Sequence, residues 1–391
     1  MITLEIISIV VFFAIIAILA YRDRKHIEFK YGLITRRTKK GKKLIYQFAE
    51  KHRRKLQLLG NVGIIVCIGA SIYGFSTLFF SSYNVMFRPE EIQQSFAMVL
   101  PSVTGLEYPG FAIGVPFWYW IIGVFLVLMA HEPMHGLLAR AEKIRIKSFG
   151  VLLLIALPGA FVEPDEKQIK KLSMLKKMRI YAAGSFGNFI LAALLAVIIF
   201  VCLDPLFFRG AVVYGYLNYT EYNLTEPFPA EKLNMAGAII SMDGMDVESV
   251  EDLSKIMSNK PPWQTILIET TEGEYKLTLT KDPKNETRGY MGIFVGDSKI
   301  LKDEYRNDPI LSPVLSSTTE LLLWVLFLNA GIGTANLLPI KPLDGGLMLE
   351  EIVKLFLKRR WAKNIVNTVS VLTFLLILIA LFGPSIIGIL G

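Results

Sequence analysis

The sequence has few of the residues that build most metal and redox sites, with only 2 Cys and 4 His among 391 residues. Cys67 and Cys202 both lie in long apolar runs. This placement argues against a disulfide framework or a cysteine-based metal site and favours packing as small hydrophobic residues. Charge is also scarce, since 19% of the residues are charged and 53% are hydrophobic, with a mean hydropathy of +0.46. That composition is not typical of a soluble globular chain.

The apolar residues fall in blocks, which predict a polytopic α-helical membrane protein with about six transmembrane helices. The first block lacks the basic start and the cleavage site of a signal peptide, so we interpret it as an anchor. The predicted spans lie at roughly 2–21, 57–80, 113–139, 180–203, 317–339 and 364–390. The corresponding division begins with an N-terminal helix pair at 1–112 and a first core segment at 113–203. An outer domain at 204–311 follows, then a second core segment at 312–350 and a C-terminal helix at 351–391.

Charge predicts the orientation, because Lys and Arg are retained on the cytoplasmic side. The loop after span one has 14 bases and 3 acids, the loop after span three 10 and 4, and the loop after span five 6 and 3. The segment 204–311 has 11 bases and 18 acids. Both termini and this segment are therefore predicted outside the cell membrane. The net charge of +8 is then a topology signal, which leaves no need for a nucleic-acid partner. The basic stretch 36–43 either contacts anionic membrane lipid or is a solvated cytoplasmic loop.

The segment HEPMH, from His131 to His135, lies near the end of the third apolar run. Two histidines four residues apart share one helix face, and Glu132 beside the first can reach a water held between them. Zinc binds imidazole well, and a catalytic zinc site leaves one coordination position for water, whose pKa the metal lowers. The pattern therefore predicts a hydrolytic metal site inside the membrane. Iron or cobalt also suit such ligands.

A third ligand must come from elsewhere in the chain, and Asp344 is the candidate. It stands in NLLPIKPLDGG, residues 336–346, where prolines and glycines break the fifth span. Irregular backbone at membrane depth is tolerated where it lines a polar cavity, and an aspartate there needs a partner such as a metal ion. The alternative is that PLDGG is a cytoplasmic turn, because Asp-Gly-Gly is a common turn sequence.

Together the two motifs resemble the site-2 protease family of intramembrane zinc metalloproteases. GSFGN at 184–188 is similar to the G-x-x-x-N element of that family, and PGAFVEP at 158–164 resembles its membrane-associated β segment. The resemblance implies that His131, His135 and Asp344 bind one zinc ion and that Glu132 is the general base. It also implicates Asn188 and Asn336. An amide donor at either position could hold the scissile carbonyl or the developing oxyanion, or could instead bond a neighbouring helix or cap a helix end.

Pro133 departs from a regular zinc-binding helix, because proline removes a backbone donor and collides with the preceding turn. We expect a helix start or kink at His131, which would preserve the relation of the two histidines.

The segment 204–311 predicts a short helix, a strand, an Asp-Gly turn, a helix and two strands joined by a Glu-Gly turn. This order resembles a small α/β PDZ domain, although the usual Gly-Asp before the first of these strands is absent. Such domains add a peptide strand to a sheet edge, and residues 210–217 are the expected edge. Asn-x-Thr glycosylation triplets begin at Asn218, Asn223 and Asn285, all in this segment.

The sequence thus predicts an intramembrane zinc endopeptidase with an outer PDZ-like domain that restricts access. Its active site is expected near the cytoplasmic side, and by family analogy its substrate is a single-pass membrane protein already trimmed by another protease. The alternative is a catalytically silent scaffold that binds partners through the outer domain. Loss of Glu132 would mark such a scaffold, and Glu132 is present. A metal transporter would need polar residues along several spans.

Overall fold

The computed structural model describes most of the chain and divides it into two compact units. The first unit comprises residues 1–196 and 320–391, and the second comprises residues 197–319. The described residues are 2–30, 33–38, 42–88, 96–103, 111–154, 157–222, 225–283 and 285–390. The outer segment predicted at 204–311 lies within the second unit. Asn223 lies outside the described residues.

The long helices follow the apolar blocks of the sequence, and shorter helices lie between them. They are α1 Ile2–Arg22, α2 Lys42–Lys51, α3 Arg53–Phe87, α4 Phe117–Ala141, α5 Glu166–Ile169, α6 Met174–Ile198, α7 Pro229–Lys232, α8 Val250–Ser258, α9 Asp303–Arg306, α10 Leu311–Ala335, α11 Asp344–Val353 and α12 Arg359–Leu390. In the described part of the chain, six helical segments are long and apolar enough to cross a membrane, namely α1, α3, α4, α6 with its continuation to Leu206, α10 and α12. Each coincides with a predicted span, but the helix ends differ. For example, α3 begins at Arg53, whereas the predicted span begins at residue 57. The apolar pattern marks only the membrane-spanning part, and the helix extends into the polar sequence before it.

We expected a helix start or a kink at His131. The helix start is wrong, because α4 is one helix from Phe117 to Ala141 with Pro133 inside it. A proline removes only one backbone donor, and within a membrane helix neighbouring groups can compensate for that loss. The two histidines therefore keep their i, i+4 relation within an uninterrupted helix.

The strands form two main sheets, one in each unit. The strands are β1 Ile27–Lys30, β2 Leu33–Thr38, β3 Met98–Ser102, β4 Ala112–Pro116, β5 Ile146–Leu154, β6 Leu157–Pro164, β7 Phe207–Tyr216, β8 Ala238–Met242, β9 Met245–Asp246, β10 Thr265–Thr270, β11 Gly273–Thr278, β12 Thr280–Asp282, β13 Asn285–Tyr290 and β14 Ile293–Leu301. The first-unit sheet has the order β1-β2-β5-β6, with antiparallel neighbours throughout. Since β6 ends this order, one of its edges has no strand partner among the described residues.

The second unit reproduces the element order expected from the sequence, including the turn at Asp243 and Gly244, where φ is positive at both residues. Its main sheet has the order β11-β10-β8-β7-β14, with β9 paired to β8. The expectation that residues 210–217 form the sheet edge is wrong, because β7 pairs with both β8 and β14. The edge strands of this order are β11 and β14, and β14 pairs with β7 although it is the last strand of this unit in the sequence.

Candidate metal centre

Two imidazoles on α4 form one side of the site. The side chains of His131 and His135 are 10% and 16% exposed, and their Nε2 atoms lie 3.2 Å apart. The Nδ1 atom of His135 lies 2.8 Å from the Ile180 carbonyl oxygen of α6. A ring nitrogen that faces a carbonyl must carry the proton, so the other nitrogen of His135 presents a lone pair toward His131.

Asp344 completes the cluster from the first turn of α11, after a tightly folded segment that follows α10. The Gly345 amide donates to the Asn336 carbonyl at 2.9 Å. A Cβ atom added at Gly345 or Gly346 would lie within 3.0 Å of the backbone of residues 337–341. The two glycines are therefore required for close backbone packing, and this packing carries the Asp344 side chain toward α4.

The three side chains place their donor atoms at the corners of a nearly regular triangle. Asp344 Oδ2 lies 3.5 Å from His131 Nε2 and 3.4 Å from His135 Nε2, and the two Nε2 atoms are 3.2 Å apart. A tetrahedral zinc site with ligand bonds of 2.0–2.1 Å requires donor separations of about 3.3 Å. Asp344 Oδ2 is also buried without a hydrogen-bond partner in the described part of the chain. A buried carboxylate oxygen facing two imidazole nitrogens fits a divalent cation of the zinc type.

Helix α6 supports both histidines along one stripe. Ile180, Gly184 and Asn188 recur at intervals of four residues, so they lie on the same helix face. A Cβ atom at Gly184 would lie within 3.0 Å of Nε2 of both histidines. The Asn188 amide lies 3.1 Å from His131 Nδ1, and Asn188 is fully buried. The GSFGN segment therefore gives the imidazoles room at its first residue and a polar contact at its last.

The Glu132 carboxylate contacts the strand β6. Its Oε2 atom accepts a hydrogen bond of 2.7 Å from the Val162 backbone amide. Val162 pairs with Phe149 of β5, and its amide points away from β5 toward α4. The segment 158–164 therefore lies beside the part of α4 that carries the two histidines, and its backbone fixes one oxygen of Glu132.

Asn336 is placed differently from Asn188. Its backbone carbonyl receives the Gly345 amide, and its side chain, which is partly exposed, bonds none of the other candidate residues in the described part of the chain. The structure thus brings His131, His135 and Asp344 together. Asn188 contacts His131, and Glu132 accepts a hydrogen bond from the backbone of β6. The structure links Asn336 to Asp344 through the backbone alone.

Ion pairs hold α11 beside α6. Glu351 is 8% exposed, and its carboxylate lies 3.1 Å from Lys177 Nζ of α6 and 2.8 Å from Lys354 Nζ. Burial by itself raises the pKa of Glu351, but hydrogen bonds from the two ammonium groups outweigh it and hold that pKa below its ordinary value. The ionised carboxylate therefore ties α11, which carries Asp344, to the helix that supports the histidines.

Residues 119–380, more than half of the chain, match peptidase family M50, and this range contains all six candidate residues. The chain belongs to peptidase family M50. An uncharacterized protein of Methanocaldococcus jannaschii is similar to this M50 chain, with 25% identity over 341 residues that cover 85% of the chain and 81% of that protein. The membrane-bound transcription factor site-2 protease homolog of Arabidopsis thaliana is 26% identical over 134 residues, which cover 33% of the chain and 25% of that protein. The M50 chain spans about a quarter of that second relative. With its six apolar helices, it is a multi-pass membrane protein of a metallopeptidase family.

Sequence reasoning missed three supports of the site in this M50 chain. They are the Ile180 carbonyl, the Val162 amide and the missing Cβ of Gly184. Backbone atoms carry no residue-type signal, so the first two could not be found in the sequence. Gly184 could have been found from its spacing of four residues from both Ile180 and Asn188.

Proposed function

We propose that this M50 chain is an intramembrane zinc endopeptidase that hydrolyses a peptide bond within a transmembrane segment of another membrane protein. The observation that carries the proposal is the triangle of His131, His135 and Asp344 donor atoms, which lie 3.2–3.5 Å apart, the separation that three ligands of one zinc ion require. The two histidines lie in a helix long and apolar enough to cross a membrane.

His131, His135 and Asp344 would hold the zinc ion through Nε2, Nε2 and a carboxylate oxygen. When bound, zinc supplies a Lewis acid that lowers the pKa of water and polarises a peptide carbonyl. The three ligands leave one position of a tetrahedral site open, as catalytic zinc sites do. The Ile180 carbonyl holds the His135 ring in the tautomer that this binding requires.

Glu132 would act as the general base. Its carboxylate accepts a proton from the hydrolytic water and returns a proton to the amide nitrogen as the peptide bond breaks. The Val162 amide restrains one carboxylate oxygen and leaves the other for this task. Of the two asparagines implicated by family resemblance, Asn336 has the partly exposed side chain, which suits an amide donor to the scissile carbonyl.

The substrate would be a transmembrane helix that unwinds locally, because the carbonyls of a regular helix are already bonded within it. The basic loops that follow α4 and α10 support a site near the cytoplasmic side. By family resemblance, the substrate is a single-pass protein shortened beforehand by another protease.

The second unit would act as a PDZ-like domain outside the membrane that restricts or recognises substrates. Its edge strand β14 lies beside α8, and the two elements line a cavity of about 200 Å³ with apolar side chains that include Leu253, Met257 and Ile293. An extended peptide that paired with β14 would place side chains over this cavity. This edge replaces the 210–217 segment expected from the sequence.

The alternative remains a scaffold that retains the fold and metal but catalyses nothing. The two functions differ in what Glu132 does, because a scaffold does not need a general base. A transporter is not favoured, since the candidate metal ligands found in the described part of the chain lie together on α4 and α11.

Cleavage by the Glu132→Gln variant tests the proposal. Wild-type and variant protein in detergent or vesicles are incubated with several model transmembrane substrates, and zinc is quantified in both. We expect equal zinc and loss of cleavage in the variant, by about 100-fold or more. Glu320→Gln is the control, because it makes the same change at an exposed position of α10. Retained cleavage by Glu132→Gln would refute the general-base role, and zinc without cleavage in the wild type would favour the scaffold.

A further inference from the structure

The two ring nitrogens of His131 have different surroundings. Nε2 faces Asp344 and His135, whereas Nδ1 faces the side-chain amide of Asn188 at 3.1 Å. A neutral imidazole that binds a metal through Nε2 keeps its proton on Nδ1. The atom that faces Nδ1 must then accept a hydrogen bond, so it must be the amide oxygen of Asn188.

Asn188 has one polar side-chain contact in the described part of the chain, so the chemistry of His131 Nδ1 decides which amide atom makes it. When the amide nitrogen faces His131, the amide oxygen is buried without a hydrogen-bond partner in the described part of the chain. Rotating the amide by half a turn exchanges oxygen and nitrogen without moving the backbone, and it places the oxygen on the Nδ1 proton.

Helix α6 then supports the two histidines in parallel ways. The Ile180 carbonyl receives the Nδ1 proton of His135, and the Asn188 side chain, two turns later on the same face, receives the Nδ1 proton of His131. Between them Gly184 leaves room for both rings. Gly184 and Asn188 are one helical turn apart, so Gly184 faces both rings and Asn188 faces the Nδ1 atom of His131.

We propose that Asn188 is a positioning residue that accepts the Nδ1 proton of His131 and fixes this ring for zinc binding. The proposal rests on the proposed zinc site, and it differs from the role of carbonyl donor considered for Asn188 from the sequence. Asn188 is 0% exposed, and its amide is engaged by the ligand itself. Its removal should therefore weaken zinc binding first, and cleavage only as a consequence.

Zinc affinity of the full-length protein in detergent, measured by competition with a chelator, tests the proposal. Asn188→Leu keeps the side-chain size but removes the acceptor, and we expect zinc affinity to fall by roughly 10–100-fold. Asn188→Asp keeps an acceptor but no donor, and we expect its zinc affinity to remain close to that of the wild type. The control is Asn329→Leu, because Asn329 is equally buried and its amide bonds the Val325 carbonyl of its own helix.

Three results would overturn the positioning role. Asn188→Leu with wild-type zinc affinity but no cleavage would assign Asn188 to the scissile carbonyl. Asn188→Asp that loses zinc as strongly as Asn188→Leu would exclude the acceptor role, and so would an equal loss of zinc affinity in Asn329→Leu.

Failure of the proposed function would give a different result. A wild type that binds zinc but cuts no substrate leaves the zinc comparison intact, whereas a wild type without zinc affinity overturns both proposals.

Discussion

Small residues control the site at the level of single atoms. The two imidazoles occupy the space that a side chain at residue 184 would fill, and the backbone of residues 337–341 occupies the space beside Gly345 and Gly346. Protein interiors are too closely packed to absorb an added methyl group without displacement. At these positions, the absence of a side chain therefore determines where the ligands can stand.

Gly184→Ala tests this at the residue scale. The added Cβ lies within 3.0 Å of both Nε2 atoms, so the histidines must shift or α4 and α6 must separate. We expect loss of zinc and of cleavage, and a destabilisation of about 1–3 kcal/mol. Zinc content and thermal unfolding in detergent measure the two effects. The control is Gly331→Ala on α10, where an added Cβ meets no atom within 4 Å. Full zinc content in Gly184→Ala would contradict the proposed geometry.

At the scale of elements, the edge of β6 connects the sheet to the metal centre. Because the Val162 amide points away from β5, the alternate residues Pro158, Ala160 and Pro164 face the same way. The two prolines have no amide to donate, which is tolerated on an edge. Among residues 158–164, the amides that face α4 therefore belong to Ala160 and Val162, and Glu132 uses the second.

Val162→Pro removes the donor to Glu132 while the β5–β6 pairing is retained, since this amide takes no part in it. We expect zinc to be kept and the cleavage rate at saturating substrate to fall by up to about 100-fold, because the base is no longer held in place. Ala160→Pro is the matched control, since it introduces the same ring at an amide that Glu132 does not use. Equal rate losses in the two variants would show that strand rigidity, and not the position of Glu132, is responsible.

At the scale of the whole molecule, charge and hydropathy set the topology. Acidic residues dominate the segment 204–311, and basic residues dominate the loops after spans one, three and five. The side-chain amide oxygens of Asn218 and Asn285 accept hydrogen bonds of 2.7 Å from the hydroxyls of Thr220 and Thr287, and these exposed residues belong to the second unit. These features support our proposal that the second unit lies outside and that the basic loops are cytoplasmic.

Cysteine labelling tests this orientation in sealed, right-side-out membranes. In a background with Cys67→Ala and Cys202→Ala, we expect Ser258→Cys to react with a membrane-impermeant maleimide. We expect Ser173→Cys to react only after permeabilisation. Both serines are exposed, so a difference in labelling reports their side of the membrane. The reverse pattern would invert the proposed topology and place the metal centre near the outer face.

The sequence by itself determined what depends on local periodicity and composition. Six helices follow from six apolar blocks, and the pairing of His131 with His135 follows from a spacing of one helical turn. The turn at Asp243 and Gly244 follows from residue types that tolerate positive φ. Each of these features is formed by residues close together in the chain, so local sequence is sufficient to predict it.

Only the tertiary structure decided how distant segments meet. It brings Asp344 to α4, where the sequence left a turn as an equal alternative, and it places Asn188 on His131 and Val162 on Glu132. It also makes β11 and β14, and not residues 210–217, the edges of the second sheet. Such contacts depend on close packing between elements and on backbone atoms common to all residues. Local sequence is therefore sufficient to predict the candidate ligands, whereas packing between distant segments determines which atoms support their side chains.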